Sequence, residues 1–459
     1  MGFGVVLLIV AVSIPSGTGL PPPPAPGLAR PAPAGNPLAY TASRESDFAN
    51  RAVDGLAQVL FTQSPGGVLA TAARVAAFRP MIDAAVRGTD IPAALLEGLV
   101  FVESAGRPQA IAGTSAADAA GLTQILPGTA QSLLGLPVNL PRSEALTTAI
   151  ENAQLSGQGA KVARLERERA LLDARFNPPA ELAATVRYLQ IAQRDLKRLD
   201  LAVVAYHAGI GNVQNVLDLY DSGRPVPYTQ LFFDTAPYDH AAAWRLLSSL
   251  GDDSALYPWR VLGAEEIMAM YRVDRSTLKR VSALETGYPS SALFLDPLYA
   301  VGTFANPTAL DVGYIERTLV PLPRNEASLY LAYAPDMGSL AGRLKAPRAL
   351  YRGLRPAALT MLIEIAALVH RISHSNAPLR VLQSVVDARY DARLGFDDPP
   401  ATTGYTFVLE RPASAAQAQA LQFLLGRLQA LNLTASIEAT STIEVTVASD
   451  AASVIANGV

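Results

Sequence analysis

From Asp47 to about Leu250, apolar residues recur at three- and four-residue intervals with no sustained alternation, a pattern that predicts a succession of helices. One runs through Ala93-Ala94-Leu95-Leu96-Glu97-Gly98-Leu99-Val100-Phe101-Val102-Glu103, with Thr89 or Asp90 as its expected cap and Pro92 in its first turn. Another, Leu201 to Tyr206, is expected to stop at Gly209, and the next to start after Gly211-Asn212. Between them the charged stretch Ser143 to Asp173 reads as an inserted helical hairpin. A further helical pair is expected over Ala264 to Gly287, with Met268, Met270 and Tyr271 at core spacing. Pro289 to Pro347 has many prolines and glycines, and predicts an irregular connector. The pattern then becomes mixed. A long helix through Pro356 to Ser373 precedes strands at Leu379 to Leu382 and Tyr405 to Leu409, a helix from Ala415 to Leu431 and a terminal hairpin through Ile443 to Val447.

A chain of 459 residues, 50% of them hydrophobic, can bury several cores, so the fold class expected is multidomain: a mostly α domain, a helical and irregular connector, and a small α+β domain. The boundaries read are 47–250, 251–350 and 351–459. Ahead of them, 1–20 carries an apolar core from Val5 to Val12 of signal-peptide length, read as a signal peptide or N-terminal anchor, and 21–46 is a Pro/Ala/Gly-rich linker. This predicts an extracytoplasmic protein with a candidate membrane tether at its N-terminus. A net charge of −3 without a basic run gives no basis for nucleic-acid binding. The absence of cysteine excludes disulfides, a thiol nucleophile and thiolate zinc sites.

The candidate chemistry centres on Glu103. Leu99 and Leu96 lie one and two turns before it on the same helix side, so its carboxyl emerges from an apolar stripe at a helix C-terminal end. Lost hydration and the negative end of the helix dipole both disfavour the carboxylate, and a raised pKa is what a proton donor to a glycosidic oxygen needs. Glu97 lies on a different face of the helix.

Three segments extend this reading: Glu103-Ser104-Ala105-Gly106; Gly121-Leu122-Thr123-Gln124-Ile125-Leu126-Pro127-Gly128-Thr129-Ala130, with Ser115 six residues before Gly121; and Ala205-Tyr206-His207-Ala208-Gly209-Ile210-Gly211-Asn212-Val213. In order and spacing they resemble the catalytic domain of soluble-type lytic transglycosylases, lysozyme-like enzymes that cut the glycan strands of peptidoglycan. Thr123 stands where that family has methionine, and His207 where it has asparagine. The resemblance implies that 47–250 is lysozyme-like and that Glu103 is the sole catalytic acid and base, forming a 1,6-anhydromuramyl product. It also implies that Ser104, Ser115, Gln124, Tyr206, His207 and Asn212 contact substrate, and that no metal or other cofactor takes part. Asp118, where many members carry glycine, is a candidate second carboxylate for hydrolysis. A muramidase and a non-catalytic wall-binding scaffold therefore stay open as alternatives.

The α+β segment 351–459 is similar to D-alanyl-D-alanine carboxypeptidases and related zinc peptidases, but departs at each functional position. Val386, Ala401, Val408 and Glu444 stand where the arginine and the zinc ligands would be. The resemblance then implies a domain without its chemistry that contacts wall peptides or supports the first domain. His370 and His374 share a helix face, but Arg371 replaces the glutamate a zincin helix needs.

Overall fold

The computed structural model describes residues 28–29, 36, 38–251, 254–287, 302–396 and 399–457. The apolar segment at 1–20, most of the linker before residue 38 and the 288–301 part of the expected connector lie outside the described residues. The described chain is mostly helical, with a five-stranded and a two-stranded sheet in its last third.

Its segments interleave into two compact units: Ala57–Tyr228 with Arg245–Ser282, and Pro22–Leu56 with Thr229–Trp244 and Ala283–Val459. The expected breaks after 250 and 350 do not follow this division, for two physical reasons. Helix Tyr257–Val273, expected to start later and act as a spacer, buries Val261, Ile267 and Met268 in the same core as Leu96, Leu99 and Val100. Helix Glu45–Leu56, expected in the first domain, belongs instead to the second unit.

In the first unit, helices Ala93–Ser104 and Tyr257–Val273 run antiparallel at close range. Gly98 permits this, because a Cβ there would meet the Val261 carbonyl oxygen at 2.7 Å. Glu97, 1% exposed, ties the pair at one end through Arg272 (2.5 Å) and also binds Arg79 (3.1 Å). The expected side-chain cap of helix Ala93–Ser104 is absent: Pro92 is the N-cap residue, and Thr89 instead accepts the Ile91 N–H in the preceding turn. At its other end Ala105 turns left-handed (φ 54°), with Arg74 and Arg107 donating to the Ala105 and Ser104 carbonyls. Cations at a helix C-terminus are favourable there. Asn177 caps helix Pro178–Leu196, whose prolines occupy its first turn. The expected hairpin forms as helices Leu140–Leu155 and Gly159–Leu172, packed through Ile150, Ala153 and Leu165.

In the second unit the five strands lie in the order Leu331–Tyr333, Leu379–Gln383, Thr406–Glu410, Thr442–Val447, Thr434–Glu438. The first pair is parallel, joined through helix Pro356–Ser373, and the other pairs are antiparallel. Helices Pro356–Ser373 and Ala415–Ala430 pack on each other and on the terminal hairpin. The edge strand Leu331–Tyr333 falls inside the expected irregular connector; at three residues it is too short to show alternation. Helix Glu45–Leu56 packs on Ala415–Ala430, with Phe48 fully buried and edge-on to Phe233 at 4.9 Å. The Arg427 guanidinium lies 4.4 Å over Phe232 and donates to the Thr235 carbonyl at 2.6 Å, holding Thr229–Trp244 to the same helix.

Phe48→Ala should therefore cost about 3 kcal/mol or more and bring forward the second unit's unfolding transition in a denaturant melt of the full chain. Leu155→Ala, at a residue 88% exposed on the hairpin, should stay within about 0.5 kcal/mol of the parent.

Candidate active site

Helix Ala93–Ser104 carries Glu103 in its last turn, following the apolar stripe of Leu96 and Leu99, and the residue is 7% exposed. Its hydrogen-bond donor is the Tyr257 hydroxyl, 2.5 Å from Oε1, a separation in the charge-assisted range. Burial pushes the Glu103 carboxyl up to about 7, and the Tyr257 bond pulls it the other way. Tyr257, the first residue of the antiparallel partner helix, is 3% exposed and stacks on His207 with centroids 4.8 Å apart. His207 Nδ1 is in turn 2.8 Å from the Ser254 hydroxyl.

Tyr206 approaches from helix Leu199–Ala208. Its hydroxyl donates to the Thr123 carbonyl at 2.6 Å, and its ring meets Tyr188 edge-on at 5.2 Å. Burial and the neighbouring Glu103 push the Tyr206 phenol well above the usual tyrosine range. The structure thus brings together Glu103, Tyr206 and His207 of the residues named from sequence, and adds Tyr257 as the group that touches the carboxyl.

The remaining candidates are engaged within the protein. Ser104 is fully buried and donates back to the Val100 carbonyl, which removes it from a substrate-facing role. Ser115 donates to Glu144 (3.0 Å) and accepts from the Ala117 N–H. Gln124, left-handed at φ 54°, directs its amide N–H groups at the Ala110 and Gly121 carbonyls, contrary to the expectation that they face a sugar. Asn212 donates to Ala208 at the end of the preceding helix. Asp118 accepts the Ser115 N–H at 3.2 Å and packs so tightly that a Cβ on Gly113 would lie 2.2 Å from its Oδ2. That carboxylate shapes a turn.

Ionisable side chains, most of them buried, hold the 109–125 loop through its backbone. Arg175, fully buried, pairs with Asp173 and donates to the Ala116, Asp118 and Ile125 carbonyls. Arg169 donates to Gln109 from the hairpin, while Glu144 accepts the Ala116 N–H at 2.6 Å. Glu181, also fully buried, binds the Leu122 and Thr123 backbone.

Sequence reasoning missed Tyr257 and Glu181. Pro258 followed by Val261, Ala264 and Met268 extends the helix back to Tyr257, but no local signal places that hydroxyl against a residue 154 positions earlier. A glutamate in the first turn after Asn177-Pro178 reads as a favourable helix-start residue, which hides Glu181's long-range role.

In the second unit, Val386 and Ala401 lie in an apolar cluster with Phe304, Leu319 and Tyr351, and Val408 faces Glu444 in register across adjacent strands. His370 stacks on Tyr330 and bonds the Ser375 carbonyl, and His374 ends its helix in the left-handed region. Among the described residues no group of three His, Cys, Asp or Glu could hold a metal ion.

Carbon-13 carboxyl NMR of the full chain should give a Glu103 titration midpoint near 7, raised further in Tyr257→Phe, which removes the bond that favours the carboxylate. Glu103 also makes stability fall with pH. Below about 4.5 its carboxyl is protonated whether folded or unfolded, between 4.5 and 7 the unfolded chain releases the proton first, and above 7 the penalty reaches about 3 kcal/mol. Glu103→Gln should therefore stabilise the protein at pH 8 by up to about 3 kcal/mol and hardly at all at pH 4, as read by denaturant melts at the two pH values.

Set against family models, curated proteins and solved structures, the chain finds no match in any of the three.

Proposed function

We propose that this chain is a peptidoglycan lytic transglycosylase, cleaving the β-1,4 bond between N-acetylmuramic acid and N-acetylglucosamine with Glu103 as its single acid and base. The observation that supports this most is the state of that carboxyl: buried at a helix end, with a pKa of about 7 and a phenol as its hydrogen-bond donor. A group so poised is protonated often enough to act as an acid and ionises readily enough to act as a base. The pairing of Tyr206 with Thr123 further joins two of the three motif segments through one hydrogen bond.

In this reading Glu103 delivers its proton to the glycosidic oxygen as the bond from C1 breaks, and the N-acetyl oxygen of the muramic sugar stabilises the electron-poor C1. The Glu103 carboxylate, held by the Tyr257 O–H, then takes the C6 hydroxyl proton as that oxygen bonds to C1. The 1,6-anhydro ring closes, a free C4 hydroxyl remains on the leaving sugar, and the carboxyl returns to its starting state. No water is consumed. Hydrolysis would ask Asp118 to hold a nucleophilic water, but its carboxylate is engaged with the Ser115 backbone and packed on Gly113. The second unit carries no chemistry in this reading, and its proposed role is contact with wall peptides. The substrate also implies action outside the cytoplasmic membrane.

Mass spectrometry of muropeptides released from purified peptidoglycan by the full chain tests the reading. Anhydro-muramyl ends are expected, with Glu103→Gln slower by about 100- to 10,000-fold. Products with free reducing ends would move the assignment to a muramidase, and binding without release would move it to a scaffold.

A further inference from the structure

The turn that carries Thr123 is shaped by a carboxyl from another helix. Glu181 Oε2 accepts the Leu122 N–H at 2.7 Å; Oε1 accepts the Thr123 N–H at 2.8 Å and lies 3.0 Å from the Thr123 hydroxyl. A Cβ on Gly121 would lie 2.1 Å from the Arg175 carbonyl oxygen and 2.3 Å from Glu181 Oε1, so the carboxyl sits against backbone where only glycine fits. The Thr123 hydroxyl is 2.8 Å from that of Thr185, which reaches the Glu181 carbonyl at 3.1 Å. On the far side of the turn, the Thr123 carbonyl accepts the Tyr206 hydroxyl. Hydrogen bonding to Thr123 and Thr185 acts on the Tyr206 phenol, as do the charges of Glu103 and Glu181.

We infer that Glu181 is a positioning residue for the Glu103 site: by fixing the Thr123 carbonyl it fixes Tyr206, which packs beside the catalytic carboxyl. The catalytic consequence rests on the glycan-cleaving reading above; the positioning itself does not.

The geometry sets a strict chemical demand. Two backbone N–H groups point at the two carboxyl oxygens, one each, so the side chain must accept at both ends. Glutamine has nearly the same shape but presents an NH2 to one of those donors, leaving a buried N–H facing an N–H. Aspartate is one methylene too short. A carboxyl meets the demand in either protonation state, because the Thr123 and Thr185 hydroxyls can reverse direction: with the proton on Oε1, the chain runs from Glu181 through both hydroxyls to the Glu181 carbonyl. Burial pushes this carboxyl up to about 8, so both states are populated near neutrality and the turn keeps its shape in each.

The test combines two measurements on the full chain, ring carbon-13 NMR of labelled tyrosine, with Tyr206 and Tyr257 assigned from their Phe variants, and turnover of soluble glycan strands. In Glu181→Gln the Tyr206 resonance should move while that of Tyr257 stays, and kcat should fall about tenfold or more with KM within about twofold. The loss should not add to that of Tyr206→Phe, since both act through one hydroxyl; a merely structural role would give additive losses. An unmoved Tyr206 resonance, or additive losses, overturns the inference. If Glu181→Gln does not fold, Thr185→Val decides, because it removes a hydroxyl of the same relay and must move the Tyr206 resonance. If the parent chain releases nothing from glycan, the functional reading fails, and the Tyr206 resonance still decides the positioning.

Discussion

Two helix backbones meet at Gly98, and the site depends on how closely they do so. With no side chain at that position, helix Tyr257–Val273 packs closely against helix Ala93–Ser104. The contact removes water from Glu103 and also supplies the Tyr257 hydroxyl that water would otherwise have to replace. The same pair of helices treats two glutamates six residues apart in opposite ways. Glu97 meets two guanidinium groups, and Glu103 meets a phenol. One carboxyl is tied into an ion-pair network and the other is held near its point of ionisation, a division of roles set by surroundings and not by residue type.

The loop from Gln109 to Ile125 shows a different principle. Its residues are largely alanine, glycine and small polar groups, with few side chains able to anchor it by packing. Its shape is imposed from outside, through the backbone: Arg175 gathers three of its carbonyls, while Glu144 and Glu181 gather its N–H groups. The buried Arg175 and Glu181 are costly to desolvate, and they persist here because each satisfies backbone groups that would otherwise be unpaired. The helical hairpin takes part, since Glu144 and Arg169 both reach the loop from it.

Much of this was legible in the sequence where the signal is local. The apolar stripe before Glu103 predicts its burial, and the helices Pro356–Ser373 and Ala415–Ala430 follow from three- and four-residue periodicity to within a residue. Strands Leu379–Gln383 and Thr406–Glu410 were equally visible as short β-rich runs. What escaped was long-range. Ser115 and Gln124 look like polar groups available to a ligand until Glu144 and the Ala110 and Gly121 carbonyls are seen to occupy them. The edge strand at Leu331 has no pattern of its own and exists because Leu379–Gln383 offers it a partner. Nor could periodicity reveal that the helix starting at Glu45 belongs with the end of the chain, because an amphipathic stripe shows that a face is buried and not against what.

That last arrangement sets an order of assembly. Helix Glu45–Leu56 leaves the ribosome long before helix Ala415–Ala430, its packing partner. At synthesis rates of about 5–20 residues per second, roughly twenty seconds to a minute separate the two. During that interval Phe48 gains Phe233 but still lacks the helix that completes its burial, while Ala57–Tyr228 and Arg245–Ser282 have all they need to close their own core. The second unit is therefore completed after the first, so an interrupted nascent chain would carry a finished Glu103 core while the amphipathic helix Glu45–Leu56 still lacked its partner.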